Sequence, residues 1–270
     1  MNKKIIVIIG LSLISFIGCS SSELMLSSAT ESKIVVDGNH EDWNGKFKYF
    51  EDKQAAIGFQ NDEDNLYLCL VSSNKSSVMK MMTLGLTVWF EPANDEQIIG
   101  LQYPKKMDAN NLKDLMGKNR NKNNNSDFEV TINTMMQNQG EFLLVDEDDE
   151  ILYASPIGSN DGYEIKVNAV GQQFVYEAKI PIGNNSQAQM PINIFPGEKF
   201  RIEFETGEFD MEEMKKNGNM QSAGMGQGGG GGMQGGGQGM RGNMQSGGRG
   251  GSSRMGIERF RLDVEVKLAK

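Results

Sequence analysis

Cysteine, histidine and tryptophan are all scarce in this chain of 270 residues, which holds two, one and two of them. Two cysteines allow one disulfide at most, so this is no disulfide-stapled scaffold. Any histidine-based triad would have to rest on His40. It stands between Asn39 and Glu41 in a turn-like stretch and reads as a solvated loop residue. Basic residues are also in short supply, 27 against 36 acidic, for a net charge of −9. A nucleic-acid binder needs a basic field to displace counterions from phosphates, so that class is excluded. The chain is 38% apolar and 23% charged, too apolar for a wholly disordered protein and too polar for a multi-span membrane protein. Carboxylate pairs of the kind glycosidases use occur by chance among 36 acids and carry no information. The sequence specifies no cofactor, and no enzyme activity is expected.

What is present begins with an address. Lys3 and Lys4 precede an apolar run, Ile5 to Ile17, shorter than the roughly 20 residues that span a bilayer. That run fits the core of a signal peptide over residues 1–18. Phe16-Ile17-Gly18-Cys19, followed by Ser20-Ser21-Ser22-Glu23, resembles the lipobox of bacterial lipoproteins, with Phe16 where Leu is more usual. The resemblance implies cleavage before Cys19, acylation of that cysteine, and export to the cell envelope on a lipid bilayer (the outer membrane in a Gram-negative cell). Loss of Lys3 and Lys4 would deepen the net charge from −9 to −11. With Cys19 acylated, Cys69 has no partner for a disulfide. It lies in the apolar run Leu66 to Val71 and reads as a buried small hydrophobe.

Residues 19–32 are rich in serine without periodicity and read as a flexible tether. From residue 33 to 270 the pattern predicts a single domain of short strands divided by turn residues. Ala55–Phe59 and Leu66–Val71 flank a polar turn, and Tyr163–Ala169 and Phe174–Ile180 flank a second. Leu84–Phe90, Ile98–Tyr103, Phe200–Phe204 and Phe260–Leu268 add further strands, the last two alternating apolar and polar residues. A short helix is expected over Asp127–Asn138 and a helical turn over Asn110–Met116. The forty residues 217–256 contain 18 Gly and six Met, with no aliphatic β-branched residue, aromatic or acid. Such a stretch buries too little apolar surface to offset its ordering entropy, so 212–256 reads as a disordered Gly/Met-rich insertion between the last two strands. The expected fold is all-β, an antiparallel two-sheet β-sandwich with one or two short helices.

Two acidic runs, Asp62-Glu63-Asp64 and Asp146 to Glu150, lack the spacing of a calcium-binding EF-hand loop and read as solvated hairpin turns. Met211, Met214, Met220, Met225, Met233, Met240 and Met244 recur in and beside the glycine-rich segment. Thioethers on a mobile chain offer soft copper ligands or an adaptable surface for a protein partner. No Cys or His accompanies them, and a low-complexity loop kept soluble by Arg241, Arg249 and Arg254 is the simpler reading.

Four stretches carry a second resemblance. Ile34-Val35-Val36-Asp37-Gly38-Asn39-His40-Glu41-Asp42-Trp43 is similar to the opening of the family 9 carbohydrate-binding modules, a strand followed by Asp-Gly and then Asp-Trp. Asp62-Glu63-Asp64-Asn65-Leu66-Tyr67-Leu68, Leu86-Thr87-Val88-Trp89-Phe90-Glu91-Pro92 and Val175-Tyr176-Glu177-Ala178-Lys179-Ile180-Pro181 resemble later motifs of that family, in order. Glu91 stands where the family more often has Asp. The resemblance implies a sandwich related to DOMON-type domains, some of which bind haem or sugars. It makes Trp43 and Trp89 the candidate ligand contacts, since an indole face stacks on a pyranose, although both also sit in framework motifs where an aromatic packs the core. Tyr49, Phe50, Tyr103, Tyr153 and Tyr163 are further aromatic candidates. Haem ligation by analogy would draw on His40, Met79, Met81 or Met82. The expected function is a non-catalytic, membrane-anchored envelope lipoprotein whose sandwich binds a glycan. The alternatives are a scaffold for envelope protein partners and a haem or copper carrier.

Overall fold

A computed structural model describes residues 23–30, 34–93, 97–108, 111, 128–184, 188–208 and 258–270. The signal peptide, Cys19, the helical turn expected near 110–116 and the Gly/Met-rich insertion lie outside the described residues, Asn111 excepted. The thirteen strands are β1 (Glu23–Leu26), β2 (Ser28–Ala29), β3 (Lys48–Phe50), β4 (Ala55–Asn61), β5 (Asn65–Ser72), β6 (Leu86–Pro92), β7 (Ile99–Gln102), β8 (Glu141–Val145), β9 (Ile151–Pro156), β10 (Glu164–Val170), β11 (Gln173–Pro181), β12 (Lys199–Thr206) and β13 (Arg261–Lys267). Among the described residues there are also two α-helices, α1 (Lys75–Leu84) and α2 (Phe128–Met136), and a 3-10 turn at Glu41–Trp43.

The strands form two layers. One sheet runs β1-β13-β12-β6-β7-β8-β9 and the other β10-β11-β5-β4-β2, with β3 also paired to β4. This is the β-sandwich that the alternating runs predict. Inner positions supply the core: Leu86, Val88 and Phe90 on β6, Ile202 and Phe204 on β12, and Val264 and Val266 on β13 are all fully buried. They face Leu66, Leu68 and Leu70 of β5 and Phe174, Tyr176 and Ala178 of β11. Because side chains alternate along a strand, the intervening residues of β6, β12 and β13 face outward. β13 pairs antiparallel with β12, so residues 207–260 connect neighbouring strands of one sheet.

The run Leu66 to Val71 is apolar throughout because β5 is buried on both faces. Leu66, Leu68 and Leu70 enter the main core, while Tyr67, Cys69 and Val71 join a second cluster with Ile34, Trp43 and Val175. An arm formed by residues 34–47 covers this outer face of the six-stranded sheet. Glu177 of β11 holds the arm down. Its Oε1 accepts from Trp43 Nε1 at 2.6 Å, and its Oε2 accepts from the backbone N–H groups of Gly38 at 2.7 Å and Asp37 at 3.1 Å. Burial pushes the Glu177 carboxyl upward and these three hydrogen bonds oppose it, leaving it above the usual range. Gly38 adopts φ +80° in this turn, and a Cβ there would stand 2.7 Å from that of Asn168. Cys69 is fully buried under the arm, and its thiol is pushed up by burial first and by Glu177 second.

The run Ile34–Val36, which reads as a strand in the sequence, forms none, and two larger features also depart from the sequence reading. The tether expected over 19–32 is in part structure: β1 pairs in parallel with β13, and β2 in parallel with β4, so both sheets are mixed rather than antiparallel throughout. The chain changes sheet at Ser27, whose hydroxyl donates to Asn61 Oδ1 and accepts from Ala269 N–H at 2.8 Å. Asn61 Nδ2 also donates to the Ala269 carbonyl at 3.1 Å. Among the described side chains of β1 Met25 points inward, and one such residue among serines gives no periodicity to read. The second departure is α1, which follows Asn74, whose side chain accepts from Ser77 N–H at 3.1 Å. Val78, Met81 and Met82 on one face bury completely. Helix α2 occupies the region expected, and its apolar face buries Phe128, Ile132 and Met135.

Removal of the Glu177 carboxylate strands three donors, two of them buried, Gly38 N–H and Trp43 Nε1. Glu177→Ala is expected to lower unfolding stability by about 3 kcal/mol in chemical denaturation. A second expectation concerns acid. Burial raises the Asp161 carboxyl, but hydrogen bonds from Ser155, Ser159, Tyr153 and the Tyr163 amide outweigh it and hold it below its ordinary value. A depressed folded value stabilises above the unfolded pKa and is lost as pH falls through the folded one. Asp161→Asn should therefore flatten the loss of urea resistance below about pH 4.

Candidate functional site

With one sheet covered by the arm, the open face is the outer side of the seven-stranded sheet. Its strands place Thr87, Trp89 and Glu91 (β6) beside Arg201, Glu203 and Glu205 (β12) and Gly100 and Gln102 (β7). The register sets Trp89 opposite Glu203 on one side and Gly100 on the other. Gly100 matters for a steric reason. A Cβ at that position would lie 2.6 Å from Trp89 Cζ3, 2.7 Å from its Cε3 and 2.8 Å from Thr87 Cγ2. The indole therefore lies across strand β7 on a shelf that only glycine leaves free.

Two depressions of about 250 and 930 Å³ meet at this indole, sharing Trp89, Glu147 and Glu205 in their linings. The smaller is walled by Glu91, Arg201, Glu203 and Arg261. The larger extends past Thr87, Gln102, Leu143 and Ile151 to Arg259 and Glu208. The hairpin between β8 and β9 forms one rim. Asp146 Oδ1 accepts from the backbone N–H groups of Asp148 at 3.0 Å and Glu150 at 2.9 Å, turning Glu147 and Asp149 towards the groove.

The polar walls are cross-braced. Arg201 bonds Glu91 and Glu203, each at 3.2 Å, and lies 3.8 Å from Asp263. Arg261 holds both oxygens of Glu203, its Nη2 at 2.8 Å from Oε2. The Glu203 hydrogen bond comes first among the causes that raise the Arg261 guanidinium above its ordinary value. Arg259 bonds Glu205 at 2.8 Å and also Glu208. Surface pairs of this kind add little stability, about 0–1 kcal/mol each, but they fix where donors and acceptors point. Around the groove six carboxylates face four basic groups, so the field is slightly negative.

The sequence candidates separate. Trp89 is half-buried and at the centre of the groove. Trp43 is 1% exposed, stacked beside Phe47 with its N–H spent on Glu177, so it packs the arm and no ligand reaches it. Among the further aromatics, Tyr103 and Tyr163 are buried in the core, Tyr153 and Phe50 pack against it, and Tyr49 is exposed on β3. His40 sits beside the Phe47 ring, whereas Met81 and Met82 lie in the main core, so no common site gathers them. Both acidic runs are hairpin turns, as read from the sequence. Asp62 Oδ1 accepts from the N–H groups of Asp64 and Asn65 at 2.9 and 2.7 Å. Gly100, Arg201, Glu203, Glu205 and Arg261 escaped the sequence reading. The alternation Arg201-Ile202-Glu203-Phe204-Glu205 marks them as outward-facing, but nothing local says that they surround Trp89.

The sequence matches no protein-family profile and no curated protein. Among solved structures the chain is similar to a family 9 carbohydrate-binding module from Caldicellulosiruptor kristjanssonii in complex with glucose. That comparison has 11% identity and a TM-score of 0.34, and covers 71% of this chain and 81% of the other. The same module in complex with cellotriose gives 11% identity, a TM-score of 0.32, and coverage of 71% and 80%.

Gly100→Ala drives a methyl into the ring of Trp89 and should lift the indole from its shelf. Because Trp43 is sealed, acrylamide quenching of the intrinsic fluorescence reports Trp89. The variant is expected to quench more steeply than the parent with its unfolding midpoint nearly unchanged.

Proposed function

We propose that this chain is a non-catalytic, lipid-anchored binding protein of the bacterial envelope and that the Trp89 groove holds an uncharged saccharide. The observation that carries the reading is the half-buried indole of Trp89, packed against Gly100 at the meeting of two depressions and amid fixed carboxylates and guanidinium groups. A sugar ring presents an apolar C–H face and a rim of hydroxyls. The indole supplies a flat apolar platform for the first. Glu91, Glu203 and Glu205 accept from the second, and Arg201 and Arg261 donate to it. Every guanidinium of the groove is already paired with a carboxylate, and acids outnumber bases. The field thus repels uronates and sulfated sugars while leaving a neutral ligand unpenalised. The two adjoining depressions, about 250 and 930 Å³, leave room for more than one ring, which suits an oligosaccharide rather than a lone monosaccharide. Export and anchoring rest on the lipobox-like Phe16-Ile17-Gly18-Cys19, with Cys19 as the acylated residue and the bilayer as its partner.

A glycan array probed with the chain from residue 20 onward tests this reading. Retention by neutral oligosaccharides, absence of retention by their uronate or sulfated counterparts, and loss of binding in Trp89→Ala are expected. The loss should be about 30-fold, the roughly 2 kcal/mol of a central aromatic contact. Absence of retention by any saccharide removes the proposal, and unchanged binding by Trp89→Ala removes the groove from it.

A further inference from the structure

We infer that the edge of the sandwich formed by β1 lies directly on the bilayer that holds Cys19; this rests on the anchoring proposed above. Strand β1 begins at residue 23, four residues beyond Cys19, and four residues reach about 14 Å at full extension. A free tether through residue 32 would let the domain drift several times farther. Because β1 is hydrogen-bonded into the seven-stranded sheet and Ser27 is tied to Asn61 and Ala269, the body of the protein follows its first strand to the membrane.

The edge brought there has the chemistry of a membrane-facing surface. Leu26 is 69% exposed and Leu24 44% exposed, both on the outer side of β1 while Met25 points into the core. Their neighbours in register are Lys267 beside Leu26 and Glu265 beside Leu24, with Glu265 paired to Lys199 at 3.2 Å. On the other side of the edge, Lys46 and Lys48 line an open depression of about 310 Å³ together with Leu24 and Leu26. Lys46, Lys48 and Lys267 thus stand beside two exposed leucines, with Glu265 answered by Lys199, in a chain whose net charge is −9. Leucines that sink among acyl chains and lysines that meet phosphates suit an anionic lipid surface. Strand β1 is an edge strand, and an edge leaves N–H and C=O groups for hydrated headgroups to pair. The placement also orients the groove. Three strand spacings, about 14 Å, separate β1 from β6, so Trp89 would stand just above the headgroups with its sheet face turned sideways.

The test uses the full chain, acylated in a bacterial host and reconstituted into vesicles of phosphatidylethanolamine and phosphatidylglycerol containing a headgroup-labelled quencher lipid. A fluorophore is attached at Leu26→Cys or Leu24→Cys, and for comparison at Val170→Cys on β10, the opposite edge of the other sheet. Buried Cys69 is spared by the label. Loss of most of the emission at positions 24 and 26, with emission at 170 retained, is the expected result. Equal quenching at all three positions, with Cys19 shown by mass spectrometry to be acylated, overturns the placement and leaves anchoring intact. A mass spectrum without acyl chains on Cys19 overturns anchoring, and this placement with it.

Discussion

A single buried carboxylate decides which face of this sandwich is covered and which is open. Glu177 accepts hydrogen bonds from Trp43 and from the amides of Asp37 and Gly38, and so pins residues 34–47 across the outer face of the six-stranded sheet. The covered sheet is free to be apolar on both sides, which is why Tyr67, Cys69 and Val71 alternate with Leu66, Leu68 and Leu70 in one unbroken run. The seven-stranded sheet has no such cover among the described residues. The outer positions of β12 and β13 are accordingly polar, and they stand beside the half-exposed indole of Trp89. One tryptophan is spent on closing a face; the other stands on the face left open.

The groove owes its form to backbone spacing as much as to side chains. A glycine in the middle of a strand usually weakens it, because it adds entropy to the unfolded chain and packs nothing. Gly100 offsets that cost by leaving room for the Trp89 ring, which a Cβ at that position would meet at 2.6 Å. Paired arginines and glutamates on β12 and β13 then fix donors and acceptors around the ring. The same pairing leaves a field with no excess of positive charge.

Much of the architecture could be read from local pattern. Alternation in Phe200–Phe204 and Phe260–Leu268, and the polar turns at Asp62–Asp64 and Asp146–Glu150, predicted strands and hairpins where they stand. The parts that escaped depend on partners distant in sequence. Met25 alone could not announce β1, whose pairing comes from β13 some 240 residues later. Helix α1 was hidden by a serine- and lysine-rich start, although Asn74 and the spacing of Val78, Met81 and Met82 carried the signal. Trp43 and Trp89 looked alike in sequence, each a tryptophan in a framework motif. Only the position of Glu177, 134 residues from Trp43, tells the core indole from the exposed one.

The most direct test is a crystal structure of the chain soaked with the neutral oligosaccharide that it retains best. The account predicts a sugar ring stacked on Trp89, its hydroxyls within hydrogen-bond distance of Glu91, Glu203 or Arg201. A saccharide seated on the arm side of the molecule, or a groove still empty at saturating concentration, would contradict it.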